Sequence, residues 1–250
     1  MNIEKSFRFP FEDKQWLSKL GLGTLITLVP ILNFAWSGYL VDIIRNVMNN
    51  AAEPLPNWDD LGKKFSEGLI LFAAGLVYAS PILILMGPPL SMMAFSGLIS
   101  GNSDMEEIAR VITGAGGVLF SGLLCVFVFY ALALSVIYPA ILVLFSREGT
   151  FASCFKLREA FDLISKNTGP FFTAWGLSLV GGFVVSLAIG IVNFTVGLIP
   201  CIGWIISLVL SLGSGVYIAS VYAHLFGQFG AIVYGNHQLA PANHSLQEPT

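Results

Sequence analysis

A chain of 250 residues that is 55% hydrophobic and only 11% charged, with a mean hydropathy of +0.78, carries more apolar surface than one soluble core of its size can use. Its net charge of −3, with lysines and arginines spread through loops instead of gathered on one face, excludes nucleic acid as a partner. The composition predicts an all-α, polytopic membrane protein, in the cell membrane with several passes, whose first partner is the lipid bilayer.

In chain order, residues 1–19 mix Lys5, Arg8, Lys14 and Lys19 with Glu4, Glu12 and Asp13, and no small-residue cleavage site follows a short apolar core. Phe7, Phe9, Phe11 and Trp16 lie among those charges, which predicts an interfacial arm; a frayed terminus is the alternative. Residues 20–41 hold no formal charge and are long enough as helix to cross about 30 Å of hydrocarbon, yet Pro30 sits near the centre. Either one kinked span or a hairpin that returns to the same face fits. The echo between Val29-Pro30-Ile31 and Ile199-Pro200-Cys201, the latter at a turn between two apolar runs, favours the hairpin.

Residues 42–68 form the most polar long segment before the tail. Leu40, Ile43, Ile44 and Val47 share one helical face, with Asp42, Arg45, Asn46 and Asn49 opposite, so this helix is expected in the interface. Pro54 and Pro56 break it. Asn57 as N-cap, with Asp59 and Asp60 in the first turn and Trp58 as an interfacial anchor, predicts a new helix from Trp58 to about Met86. Its membrane part is 69–86, kinked by Pro81 and ended by Gly87-Pro88-Pro89. Leu90 to Ser100 is too short to span and reads as a surface or re-entrant element.

Ser103-Asp104-Met105-Glu106 reads as a capping box opening a helix whose uncharged run, 111–145, is one tilted or broken span or two tight ones. Residues 147–167 are amphipathic, with Cys154, Leu157, Ala160, Phe161 and Ile164 on one face. Two apolar runs, 171–198 and 204–233, complete a single helical membrane domain over 1–234, and 235–250 reads as a disordered polar tail. The expected architecture is thus about four full spans, a proline-centred N-terminal hairpin and interfacial amphipathic helices. With the hairpin, every lysine and arginine except Arg110 falls on one side, the cytoplasmic one; five full spans would scatter them.

Small residues recur at every fourth position in the last two runs, among them Gly182 and Gly190 in one and Gly215 and Gly227 in the other. Such stripes let helices approach closely in lipid, either with each other or in a homo-oligomer.

The residues Gly38-Tyr39-Leu40-Val41, Arg45-Asn46-Val47 and Pro54-Leu55-Pro56-Asn57-Trp58-Asp59-Asp60, with Phe65 and Gly68-Leu69, resemble the signature of the DUF4013 family, prokaryotic membrane proteins of unknown function. Pro139-Ala140, Phe151 to Phe161 and Val221-Tyr222-Ala223-His224-Leu225-Phe226-Gly227-Gln228 extend the resemblance over most of the chain. It implies a membrane location and no mechanism.

Chemistry is sparse. The apolar runs hold no charge, and His224 and Asn193 read as interhelical hydrogen-bonding groups, with a proton relay as the alternative for His224. Ser214 and His224 stand ten residues apart on one helix, about 15 Å along its axis, and share no hydrogen bond within it. Cys125, Cys154 and Cys201 show no metal or disulfide spacing. The expectation is a non-enzymatic interaction or scaffold protein without cofactor or metal. Arg45, Asn46, Trp58, Asp59 and Asp60 would lie in a cytoplasmic loop that, with the 147–167 helix, docks a protein. The alternative is a small transporter or lipid-handling protein for a neutral or amphipathic molecule, suggested by the helices broken at Pro30, Pro81 and Pro139.

Overall fold

The computed structural model describes residues 1–200 and 202–238. The proposed tail beyond 238, and Cys201 in the turn, lie outside the described residues. Eight helices make up the described chain: α1 (Ile3–Glu12), α2 (Trp16–Leu28), α3 (Asn33–Met48), α4 (Leu61–Ile99), α5 (Glu106–Glu148), α6 (Leu157–Lys166), α7 (Thr168–Gly197) and α8 (Ile202–Gln238). No strand occurs among the described residues.

Four helices, α4, α5, α7 and α8, are long and apolar enough to cross a membrane. Their large side chains, among them Phe129, Phe183, Phe194 and Trp204, are exposed. In water each such Phe would forfeit roughly 1.5–3 kcal/mol of burial; against lipid tails it does not. The chain is a multi-pass membrane protein. Residues 20–41 do not form one continuous helix: α2 has 13 residues, about 20 Å of helix, and the chain breaks through Val29 to Leu32 around Pro30 before α3 begins.

Several boundaries differ from expectation. Asn57 does not cap α4. The Asp60 carboxylate does, accepting from the Lys63 amide at 3.0 Å, and the helix starts at Leu61. Nor does Gly87-Pro88-Pro89 end it: α4 continues through Pro81, Pro88 and Pro89 to Ile99, and no separate element occupies 90–100. Each proline removes one backbone donor, but in a lipid-facing segment the neighbouring peptide groups have no water to turn to, so the helix persists around the gap. Likewise Asn102, not Ser103, caps the next element. Its side chain accepts from Asp104 N, Ser103–Met105 forms a 3₁₀ turn, and α5 then runs as one helix through Pro139. Gly149, at φ +67°, ends α5 in the left-handed conformation that glycine adopts without a Cβ penalty, and its amide returns to Phe145 O at 2.8 Å.

The chain folds as two compact units. One, Phe72–Tyr138, is the hairpin of the later part of α4 and the first part of α5. Its two arms are joined by Thr113 Oγ1 donating to Ser96 Oγ (2.7 Å) and Tyr130 donating to Tyr78 O (2.8 Å). The other comprises Met1–Leu71 and the described chain from Pro139 on. Its core forms where α3, the ends of α5 and α8 and the start of α7 meet, with Tyr39, Ile43, Ile44, Phe145, Phe171, Phe226 and Phe229 fully buried.

The arm at the N-terminus is neither frayed nor free. As α1 it docks on α8: Phe9 and Ser6 are buried, and Tyr217 donates to Phe7 O at 2.9 Å. In the 147–167 segment, Cys154, Ala160 and Ile164 face inward, whereas Leu157 and Phe161 are exposed, so the apolar stripe is only half used inside the chain. Burial pushes the Cys154 thiol up to about 11. A thiol stays inert until it ionises. Maleimide at pH 7.5 is therefore expected to leave Cys154 unmodified in the folded protein and to label it after denaturation, read as a mass shift of the peptide; rapid labelling of the native chain would contradict its burial.

Candidate functional site

The polar end of the larger unit is built on a crossing of α3 and α4. Gly38 on α3 rests on the backbone of Lys64, and Gly68 on α4 rests on the backbone of Phe34, so close that a Cβ at either position would overlap a carbonyl oxygen. The two contacts are reciprocal, each pairing a glycine with the residue four positions from the other glycine. The crossing brings the polar faces of both helices together.

Asp42 is the hub. Its carboxylate meets Arg45 Nη1, Lys64 Nζ at 3.1 Å and Lys63 Nζ at 3.5 Å. Arg45 also pairs with Glu67 at 3.1 Å and donates through Nε to Ser146 O at 3.0 Å, which ties the end of α5 to α3. Asp42, Lys64 and Glu67 are all buried, and charges in that setting persist only with partners in place. The second oxygen of Glu67 has no hydrogen-bond partner among the described residues.

Beside this network Lys19 donates to Asp13 (2.7 Å) and to Leu55 O (3.0 Å), with both side chains buried. Trp58 Nε1 donates to Lys19 O at 2.9 Å, and the Tyr39, Trp58 and Trp36 rings pack on one another, Tyr39 at 4.4 Å from Trp58 and 5.1 Å from Trp36 and the two tryptophans at 6.3 Å. Burial, and then the Asp13 and Asp42 carboxylates, push the Tyr39 phenol well above its ordinary value.

The five loop residues singled out from the sequence therefore separate. Arg45 belongs to the ion network, Asn46 Nδ2 holds the loop by donating to Pro54 O (3.1 Å), and Trp58 is committed to Tyr39 and Lys19. Asp60 caps α4, although its side chain stays exposed, and Asp59 is exposed. A pocket of about 390 Å³ opens at this end, with Lys19 and Lys64 among its walls and Glu53, Asp59 and Asp60 beside them. Asp13, Lys19 and Glu67 were not among the residues chosen. All three lie outside the 42–60 stretch or across a helix turn from it, and nothing in their spacing marks them as partners of it.

The small residues of the last two helices also separate. Gly227 is tight, because an added Cβ would meet Val47 at 2.6 Å; Gly182 has only an ordinary contact with Ile218 at 3.6 Å; and Gly190 and Gly215 have nothing within 4 Å. Helices α7 and α8 do pack on each other, and of the glycines expected at their seam Gly182 touches the facing helix while Gly190 and Gly215 have open space around them. The seam also holds a bond from Asn193 Nδ2 to Ser211 Oγ at 2.8 Å, and the tight Gly227 serves α3.

His224 lies between α8 and α1. Its Nδ1 stands 3.0 Å from Ser6 Oγ and 3.2 Å from Gln228 Nε2, and its ring stacks on Phe9 at 4.3 Å. Gln228 also donates to Asn2 O (3.1 Å) and accepts from Asn2 N (2.8 Å), so this interhelical node pins the N-terminal helix. No group of three or more His, Cys, Asp or Glu side chains suited to a metal occurs among the described residues.

Neither a curated protein nor a solved structure matches this chain. The signature read from Gly38 to Gly68 does have a counterpart: the family model described as "Protein of unknown function (DUF4013)" matches residues 22–194, well over half the chain, a stretch that contains the α3–α4 crossing and its ion network, and the protein belongs to that family.

Proposed function

We propose that this protein is a non-catalytic interaction or scaffold protein of the cell membrane, with its α3–α4 end on the cytoplasmic side as a docking surface for a protein segment bearing lysine or arginine. The observation that supports this reading is the charge arrangement of the 390 Å³ pocket. The ammonium groups of Lys19 and Lys64 are each matched by a buried carboxylate, Asp13 and Asp42. Glu53, Asp59 and Asp60 on the same pocket are exposed, and none of them forms an ion pair among the described residues. The uncompensated potential is negative, and a basic partner complements it. The network beneath holds the loop still, which limits the ordering cost of binding.

Asp59 is the residue to change, since Asp60 also caps a helix. Purification in native lipid nanodiscs, followed by quantitative mass spectrometry, is expected to recover a stoichiometric partner with wild type. Asp59→Lys should lose most of it, with an unchanged gel-filtration profile. Equal recovery with the variant would remove the docking reading.

A transporter or lipid-handling role would draw on the apolar pocket beside Pro81, lined by Ile82, Met86, Phe127 and Tyr130. At about 60 Å³ it holds roughly two water volumes, and no observation favours it over the docking surface.

A further inference from the structure

Helix α1 carries Glu4, Lys5, Arg8 and Glu12, all exposed; Glu4 and Arg8 stay largely open to their surroundings although they pair at 2.6 Å. Yet this charged helix lies against the interior of two apolar helices. Phe7 sits on Gly181 of α7, where an added Cβ would stand 2.8 Å from its ring, and Tyr217 of α8 donates to Phe7 O at 2.9 Å and packs on Phe11 at 5.7 Å. Gly181 is thirteen residues along α7 from Thr168, about 20 Å of helix. If the whole apolar run 171–198 lay in hydrocarbon, the charges of α1 would stand near the midplane, where exposed charge is strongly disfavoured.

We infer that the bilayer surface crosses the larger unit at the level of Gly181 and Tyr217, with α1 as a contact surface for lipid headgroups. Residues 171–180 and 217–233, although as apolar as a span, then lie outside hydrocarbon, and 182–198 and 204–216 are the lipid-embedded parts of α7 and α8. This goes beyond the docking proposal, since it concerns lipid and not a protein partner.

Burial changes at the same level. Of the residues from Ile202 to Gly215 only Gly203 is buried, whereas Val216, Ser220, Val221, Ala223, Leu225 and Phe226 all are. On α7, Phe171 and Ala174 are buried and nothing from Phe183 to Phe194 is. The upper stretches satisfy their apolar side chains in a protein core and need no lipid; the lower ones have no other cover. The 182–198 stretch, about 17 residues, is at the lower end of what crosses hydrocarbon as helix.

The exposed surface changes its chemistry there too, within one turn of α8. At Tyr217 the neighbour is charged α1; at Gly213 it is α2, whose Thr24 Oγ1 would stand 4.0 Å from an added Cβ. The outward residues of α2, Leu17, Leu22, Leu25 and Leu28, are exposed and apolar, while its Lys19 is buried against Asp13. This stripe continues the lipid-facing surface of α8. Between the charged helix and the apolar one, Phe11 and Trp16 pack edge to face at 5.0 Å, the headgroup level at which amphipathic rings anchor.

The test reads immersion depth of the full chain in nanodiscs. Nitroxide labels are placed singly through Phe172→Cys, Leu179→Cys, Phe183→Cys, Leu187→Cys, Ile191→Cys and Phe194→Cys, all at exposed positions, with Cys125→Ala and Cys201→Ala as background and the buried Cys154 left in place. Oxygen relaxes labels in hydrocarbon and a nickel chelate relaxes labels in water, so the ratio of the two effects reports depth. The ratio is expected to be water-like at Phe172 and to peak at Ile191, displaced by about six residues, or ~9 Å, from the peak near Val184 that a fully embedded run would give. A label introduced by Glu12→Cys should read at headgroup level, and one by Leu25→Cys in hydrocarbon. A peak at Leu187 or nearer the start of α7, or a hydrocarbon-like label at Phe172, overturns the placement; a Glu12 label as open to the chelate as one in bulk water removes the headgroup contact. The readout needs no protein partner, so its failure and that of the docking test on Asp59 are separate results.

Discussion

Asp42→Ala is expected to abolish stable folding of the larger unit, at a cost of about 3–5 kcal/mol, the range for removing one partner of a buried ion pair. Three cations converge on this carboxylate, and Lys64, the most buried of them, keeps no other anion within ion-pair distance once it is gone. Arg45 retains Glu67 and Ser146 O, so the loss falls chiefly on Lys64. Two companion variants separate charge from packing. Asp42→Asn, close in shape, should be nearly as damaging, because the amide cannot neutralise an ammonium. Asp42→Leu with Lys64→Met should regain much of the loss, since a buried pair replaced by apolar groups is often neutral or better. Folded yield in detergent and the midpoint of thermal unfolding would measure each. An Asp42→Ala protein that melts like wild type would mean that the network is not the anchor of this fold.

How much of this was legible in the sequence depended on the range of the interaction. The four spans could be read because uncharged runs of about twenty residues need no partner to be recognised. The helix break at Pro30 was readable from the proline near the centre of the run. Helix ends were harder. Asn57 and Asp60 are both good caps three residues apart, and only the path of the chain after Pro56 puts Asp60 at the cap. The prolines of α4 misled because the aqueous rule, that Pro-Pro stops a helix, weakens in a lipid-facing segment.

At the candidate site, Arg45, Trp58 and Asp59 were visible as a cluster in sequence, but their different duties were not. Arg45 reaches Ser146, 101 positions away, and Trp58 reaches Lys19 across 39. Pairings of that range leave no local signal in a single chain. The same holds for His224, whose partner Ser6 lies 218 positions earlier.

The glycines show the difference most sharply, and they provide the second large effect. Gly68→Ala should disrupt the α3–α4 crossing, and Gly38→Ala likewise, whereas Gly215→Ala should leave folding unchanged or slightly better. All three glycines are helical, and alanine is the better helix former by about 1 kcal/mol, so propensity alone predicts stabilisation at every one. Space decides otherwise. At Gly38 and Gly68 the new methyl group meets main-chain atoms of Lys64 and Phe34, which have no rotamer to change, and the helices must separate. Overpacking in a well-fitted core costs typically about 1–3 kcal/mol, and here it also pulls Asp42 away from Lys64, so the two losses compound. At Gly215 nothing lies within 4 Å. The thermal midpoints of the three variants give the comparison: equal tolerance at Gly68 and Gly215 would mean that α3 and α4 are not in backbone contact, and with that the ion network, the fixed loop above it and the negative rim that the loop presents would all lose their support.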